Sequence, residues 1–323
     1  MPGTSAKKYL CGIKIICKQE VLVVSATKEK AAVKFKNLDK VYWPEEGFTK
    51  GDLLNYYLAM VPQLLPHLLN RPMTMKRYPD GIKGKFFYQK NYPSYAPEWV
   101  ARVTIPTEEG PKDMVSVDRS ETILWMVNLG CIECHTWLSR VEALNNPDIF
   151  IFDLDPAPPA GFAETLPVAV AIKDILQDYG LNSYAKTSGS DGVHVYVPVQ
   201  PLVSYEVIRE GLQRFCQALT SLLPDQVTIA MPKVKRAGKV YLDYLQNGYA
   251  KTTVAVYSVR PEQGAPVSTP LSWDEVVQGR ITPQQFNINT VPQRLQKIGD
   301  LFRPVWEERQ DPRAFLRLTG KLI

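Results

Sequence analysis

Ile149-Phe150-Ile151-Phe152-Asp153-Leu154-Asp155-Pro156 is the stretch that decides the fold. Four large apolar residues in succession, closed by a proline, predict a buried strand that ends at an exposed edge. Side chains alternate faces along a strand, so Asp153 and Asp155 share a face, with carboxylates roughly 6–7 Å apart, and Leu154 enters the opposite layer. Holding two ionised carboxylates side by side costs several kcal/mol unless a cation compensates them. The pair therefore reads as a divalent-metal site; the plainer alternative is a strand end whose acids cap the next turn.

Downstream, the spacing predicts a helix over 163–179, stopped by Gly180, and then a hairpin around Lys186-Thr187-Ser188-Gly189-Ser190-Asp191-Gly192-Val193-His194. A tight Ser/Gly turn presents backbone N–H groups and hydroxyls to an anion, and His194 adds a donor aimed at the same place. A helix over 205–223 follows. Asp243 is then the lone acid in the expected apolar strand Lys239-Val240-Tyr241-Leu242-Asp243-Tyr244-Leu245, where an unpaired carboxylate should meet a cation or a metal. Further short helices are expected around 273–277 and 292–298.

Upstream, Thr49-Lys50-Gly51-Asp52 reads as a helix start with Thr49 as N-cap, and Asn70-Arg71-Pro72 as its end. His67, late in that helix, is expected at the surface or partly buried. A strand over 73–77 leads through a turn to Lys83-Gly84-Lys85-Phe86-Phe87-Tyr88-Gln89-Lys90, where lysines flank three aromatics, as on an exposed platform for single-stranded nucleic acid. A helix over 122–130 and a strand over 132–137 place Glu133, His135 and Trp137 on one face.

The chain's 323 residues are 45% hydrophobic and 22% charged, which allows a large soluble core. Its apolar runs are far too short to span a bilayer, and no signal-peptide pattern opens it, so a cytosolic protein is expected. Five scattered cysteines do not make a disulfide framework. Cys131-Ile132-Glu133-Cys134-His135 matches a haem-attachment spacing, but attachment would need export. Residues 1–100 hold 16 Lys and Arg against 8 Asp and Glu, so the net charge of +5 is a basic amino-terminal third set against a slightly acidic remainder. That suits a surface tracking phosphates.

An Asp-x-Asp strand also opens haloacid-dehalogenase phosphatases, where Gly-Thr normally follows; here Pro156-Ala157 does. Taken in order, Phe152-Asp-Leu-Asp-Pro156, Lys186-Thr-Ser-Gly189 with His194, Leu242-Asp-Tyr-Leu-Gln-Asn247 and Tyr257-Ser-Val-Arg260 resemble the polymerase domain of bacterial ligase D. Leu38-Asp-Lys-Val41, Lys76-Arg-Tyr-Pro-Asp-Gly81, Asn128-Leu-Gly130 and Val267-Ser-Thr-Pro270 extend the likeness over about residues 35–300. That family belongs to the archaeo-eukaryotic primase superfamily and acts in non-homologous end joining.

The resemblance implies an α/β (α+β) fold: a primase-type catalytic core with a mixed or antiparallel sheet plus an amino-terminal α/β lobe. The expected organisation is a peripheral strand or hairpin at 1–30, the primase-polymerase domain at 31–300 in two packed lobes, and a tail of that domain at 301–323. It implies a template-dependent nucleotidyltransferase that fills gaps and extends 3′ ends at DNA breaks. Asp153, Asp155 and Asp243 would be catalytic carboxylates holding Mn2+ or Mg2+. His135, Ser188, His194 and Arg260 would bind the nucleoside triphosphate, ribo or deoxy. Lys40 and Lys50 would grip a DNA 5′-phosphate and Phe86 and Phe87 the template, with Lys76 and Arg77 near the site.

By the same resemblance, Ku and a separate DNA ligase are the expected partners, since no ligase or phosphoesterase domain is expected after Ile323 unless the chain is an excised piece, and no membrane is involved. Family members often carry a lysine where this chain has Asp191, which bears on nucleotide affinity. A non-catalytic DNA-end-binding module and a de novo primase are the alternatives.

Overall fold

The computed structural model describes residues 22–24 and 32–317. Most of the expected amino-terminal hairpin, and the last residues of the tail, lie outside the described residues; Leu22–Val24 pairs antiparallel with Ala32–Lys34. The fold is mixed α/β, built on two large sheets.

The strand Ile149–Pro156 runs through the middle of one six-stranded sheet. It pairs antiparallel with Val193–Pro198 on one side and with Val240–Leu242 on the other. Tyr184–Thr187 and Pro270–Leu271 extend the sheet beyond Val193–Pro198, and Val227–Thr228 closes the far edge in parallel. The expected alternation holds. Phe150 stacks on Phe315 and Phe152 packs against Phe215 on one face, leaving Asp153 and Asp155 on the other.

Phe215 belongs to the helix Tyr205–Leu222, which starts at the Ser204 cap. Phe162–Asp178 is the other long helix against this sheet, and Gly180, with φ +72, follows it. The carboxy-terminal stretch covers both faces, Phe315 joining this aromatic layer and Phe302 packing on Tyr196 of the other face. Arg303–Glu307 and Arg313–Arg317 are short helices, and Phe302 and Phe315 are both buried.

The second sheet joins Thr253–Val254, Cys131–Thr136, Pro72–Arg77, Lys112–Ser116 and Arg102–Ile105 in that order, with Phe87–Gln89 sharing the edge of Pro72–Arg77. Beside it lies the helix Lys50–Leu68. Its start is the expected capping box: the Asp52 N–H donates to Thr49 Oγ1 at 3.2 Å and the Thr49 N–H to Asp52 Oδ2 at 2.7 Å.

Two expectations change. His67, expected at the surface or partly buried, is buried, because Phe302 covers its ring and Asp300 approaches to 4.0 Å. Burial holds its imidazole pKa below the usual value, against the raising effect of Asp300. The helix expected over 122–130 is Ser120–Asn128, since Gly130, with φ +84, already belongs to the turn into Cys131–Thr136.

A buried ion cluster ties the helix to the central strand. Arg71 donates to both oxygens of Asp148 at 2.6 and 2.9 Å, and Arg140 adds a third bond at 2.9 Å. Burial alone would push the Asp148 carboxyl up, but Arg71 and then Arg140 hold it below the usual carboxylate range. Removing one partner would strand buried charge on the other. Asp148→Ala is therefore expected to cost about 3–5 kcal/mol in urea unfolding at neutral pH. A depressed folded pKa stabilises above the unfolded value, so the wild-type advantage should vanish as pH falls through the carboxylate range.

Candidate metal and phosphate site

Asp153 and Asp155 come from the same strand face, and Asp243 reaches them from the neighbouring strand end. One carboxylate oxygen from each lies within 4.8 Å of the others. Asp243 is not inside a strand, as its apolar neighbours suggested. Pairing stops at Leu242, and Asp243 opens a short 3-10 turn over Tyr244–Gln246, its Oδ1 accepting the Leu245 N–H at 3.1 Å. That turn swings the carboxylate toward the partner strand.

The register is locked twice. The Asp243 N–H donates to the Asp153 carbonyl at 2.9 Å. The buried Asn247 side chain brackets Ile151, accepting from its N–H and donating to its carbonyl, both at 2.8 Å. Sequence reasoning gave Asn247 no role; its only signal was its place at the end of the motif.

Burial raises all three acids. Burial lifts Asp153 to about 6, against Lys186 and Arg260. Desolvation, then the Asp153 charge, lifts Asp155 to about 7, with His194 and Arg236 opposing. Asp243 is raised by desolvation and then by Asp153. Asp153 Oδ1 is buried without a hydrogen-bond partner, although His194 Nε2 stands 3.2 Å away. An orphaned carboxylate oxygen beside two more carboxylates fits a divalent cation, which prefers oxygen ligands.

The Ser/Gly turn sits beside this cluster. Ser188 Oγ accepts the Ser190 and Gly192 N–H groups, both at 3.1 Å, which leaves its own proton free to donate. Two glycines make the close approach possible. A Cβ on Gly189, already at φ +83, would meet Arg260 Cγ at 2.6 Å, and one on Gly192 would meet the Leu154 carbonyl at 2.6 Å. Asp191 is exposed near the tip. Glu262 beside it is raised by burial and to a lesser degree by Asp191, against a bond from Ser190 and the Arg260 charge.

The second sheet supplies the facing groups through a residue that no sequence signal marked as a hub. Glu133, 1% exposed, takes Lys76 Nζ at 2.8 Å, His135 Nε2 at 2.7 Å and Arg260 Nη1 at 3.8 Å. Burial opposes its ionisation, but His135, Arg260 and Lys76 together hold its pKa down to about 2. Lys76 is raised by Glu133 and Tyr78 despite its burial. His135, Ser188, His194 and Arg260 thus lie around one cleft, with Arg260 paired to Glu133 of the second sheet and lying against Gly189 of the turn.

Along the cleft's outer edge, Phe86 and Phe87 are about half exposed, at 52% and 45%. The Lys76 ammonium lies 5.0 Å from the Phe86 centroid and the Arg77 guanidinium 5.0 Å from that of Phe87. Tyr88 continues the aromatic row to His135 at 6.0 Å. Arg77 is otherwise spent within the fold, donating to the Leu129 carbonyl, Gln89 and Tyr95.

Lys40 and Lys50 are neighbours, their backbones joined by a 2.8 Å hydrogen bond, but they differ in exposure. Lys40 pairs with exposed Asp80. Lys50 is buried and donates to the Lys36 carbonyl and Asn128 Oδ1, both at 2.8 Å. Burial, and then the Lys40 charge, lower its ammonium to about 8. Cys131 and Cys134 are fully buried, which suits packing.

The LigD primase-polymerase domain family matches residues 49–302. The multifunctional non-homologous end joining protein LigD of Mycolicibacterium smegmatis is 34% identical over 275 residues, which cover 84% of this chain and 36% of that protein. The bifunctional LigD of Bacillus subtilis is 33% identical over 280 residues, 86% of this chain and 45% of that protein. The chain thus spans between a third and a half of these curated relatives. Among solved structures, the polymerase domain of Mycobacterium tuberculosis ligase D in complex with DNA superposes with a TM-score of 0.81 at 31% identity. That match covers 86% of this chain and 99% of the other.

The clustered acids make a measurable prediction. An acid whose folded pKa is raised destabilises the native state as pH climbs from the unfolded value of roughly 4 toward the folded one. For Asp153 and Asp155 that window closes at about 6 and about 7. Metal-free Asp153→Asn should therefore unfold at a higher temperature than wild type above neutral pH, by on the order of 2 kcal/mol, with the difference shrinking in mild acid. Adding Mn2+ or Mg2+ should stabilise wild type and leave the variant unmoved, as read by thermal unfolding with and without metal.

Proposed function

The chain belongs to the LigD primase-polymerase domain family, and from that membership we propose that it is a template-dependent nucleotidyltransferase that fills gaps and extends 3′ ends at DNA breaks. The observation that carries the reading is the meeting of Asp153, Asp155 and Asp243 within 4.8 Å, beside a turn and an arginine shaped for phosphate. Bound there, two Mn2+ or Mg2+ ions would lower the pKa of the attacking primer 3′-hydroxyl and neutralise the leaving pyrophosphate.

The remaining work is positioning and charge. Ser188 Oγ–H, the turn's backbone, His135, His194 and Arg260 would hold the β and γ phosphates in line. Glu133 keeps His135 and Arg260 from drifting, since it pairs with both. Phe86 and Phe87 offer exposed ring faces on which template bases can stack, worth about 1–3 kcal/mol per base. Lys40 and Lys50 would take a 5′-phosphate. A terminal phosphate bears more charge than a phosphodiester, and it would repay drawing Lys50 from its internal partners.

DNA and nucleoside triphosphates are the proposed substrates, Ku and a DNA ligase activity the proposed partners, and the cytoplasmic nucleoid the proposed location. Among the described residues no helix is long and apolar enough to cross a membrane.

Single-nucleotide extension on a 5′-phosphorylated gap tests the reading. Wild type should extend with Mn2+ or Mg2+, while Asp153→Ala, Asp155→Ala and Asp243→Ala should each fail yet still bind the DNA. Wild type that binds but never extends would leave a non-catalytic end-binding module, and synthesis without a primer would favour a primase. Changing Lys40 and Lys50 together to Ala should weaken binding to the phosphorylated gap far more than to the same gap ending in hydroxyl, and flatten its salt dependence. Asp191→Lys should lower the nucleotide KM, because it replaces repulsion of the triphosphate by attraction.

A further inference from the structure

Glu133 reaches the cleft from a strand and Arg260 from a loop, and two buried hydroxyls join those backbones just where the two side chains leave them. After Val254 the chain runs as a loop to Pro270, with an isolated bridge between Val259 and Val267 in place of a ladder. Its buried backbone groups need other partners. Tyr57, 0% exposed in the helix Lys50–Leu68, supplies one: its phenol accepts the Val259 N–H at 3.1 Å and donates to the Ile132 carbonyl at 2.7 Å. Val259 immediately precedes Arg260, and Ile132 immediately precedes Glu133. Ser258 acts on the other side of Glu133. Its buried Oγ accepts the Cys134 N–H at 2.9 Å and stands 3.4 Å from the Tyr57 phenol oxygen.

These hydroxyls stand in for a ladder. A phenol carries one proton and two lone pairs, so a single oxygen serves a strand carbonyl and a loop N–H at once. Phenylalanine would fill the same space but leave both backbone groups buried without that bond. The loop is also held in a conformation it would not choose, since Tyr257 sits at φ +62, in the left-handed region disfavoured for a bulky residue. Its N–H donates to the Ser268 carbonyl at 2.7 Å and its carbonyl accepts the Tyr56 hydroxyl at 2.8 Å, which keep it there.

What depends on this framework is the Arg260 guanidinium. Its Nη1 is 3.8 Å from Glu133, its Nη2 4.0 Å from Glu262, and its buried Nε has no hydrogen-bond partner. So loosely paired a group is aimed by its backbone more than by its own contacts. We propose that Tyr57, seconded by Ser258, is a positioning residue that sets the separation of Glu133 and Arg260 and thereby aims the guanidinium at the triphosphate. This rests on the reading of Arg260 as a triphosphate ligand and adds the residues that place it.

Tyr57→Phe removes one oxygen and keeps the ring. In extension assays it should raise the nucleotide KM about tenfold, the worth of one charge-assisted hydrogen bond to phosphate, and leave the affinity for gapped DNA unchanged. Added to Arg260→Ala, it should raise KM no further, because the phenol acts through the arginine. Tyr205→Phe controls for lost stability alone. It removes another buried phenol bond, 3.0 Å to Ser139 Oγ, and should lower the melting temperature comparably with KM unchanged. Crystals of wild type and Tyr57→Phe grown alike should show the guanidinium displaced from Glu133 in the variant.

Where Arg260→Ala raises KM, an unchanged KM in Tyr57→Phe overturns the proposal. So does an equal rise in Tyr205→Phe, or a double variant in which the defects of Tyr57→Phe and Arg260→Ala simply add. Should Tyr57→Phe not fold, Ser258→Ala removes the other hydroxyl and carries the same expectations and refutations. If Arg260→Ala itself leaves KM unchanged, the triphosphate reading of Arg260 fails and the crystals decide: a displaced guanidinium supports the positioning role of Tyr57, and an unmoved one overturns it.

Discussion

Three carboxylates forced within 4.8 Å of one another are the constraint around which this molecule is built. Burial raises all three pKa values, and the charge of Asp153 raises Asp155 and Asp243 further. A fold can hold such a cluster only if the strands that carry it cannot relax. Here the acids hang from the middle of a six-stranded sheet whose opposite face is sealed by Phe150, Phe152, Phe215 and Phe315. The Asp243–Asp153 backbone bond and the Asn247 bracket on Ile151 remove the remaining slack.

The cationic surroundings follow from the same constraint. Lys186 and Arg260 oppose the rise of Asp153, and His194 and Arg236 that of Asp155. Arg260 must also stay in the cleft. Glu133 does this from the second sheet, a buried acid that satisfies its own charge with Lys76, His135 and Arg260. One acid cluster therefore recruits cations, and a second, isolated acid holds one of them, Arg260, in place.

The features legible in the sequence were those with a short-range signature. Alternation along 149–156 put Asp153 and Asp155 on one face; Thr49 and Asp52 announced their capping box; lysines flanking Phe86 and Phe87 announced exposure. What could not be read depends on long-range contacts. Glu133 is one polar residue in a buried strand, and its partners lie at Lys76 and Arg260, far along the chain. The full burial of His67 was not legible because the segment that covers it, around Phe302, is remote in sequence. The inward turn of Lys50 required knowing that Asn128 would arrive beside it. Asp243 read as a strand residue because apolar neighbours do not reveal where pairing stops.

The central claim is that the carboxylate cluster is a divalent-metal site that works together with a bound triphosphate. Electron paramagnetic resonance of Mn2+ titrated into the protein, with and without a non-hydrolysable nucleoside triphosphate, tests it most directly. The account predicts protein-bound Mn2+ in wild type, tighter binding when the nucleotide is present, and loss of both in Asp243→Ala. Mn2+ that stays free in wild type even with nucleotide, or that binds Asp243→Ala equally well, would contradict it.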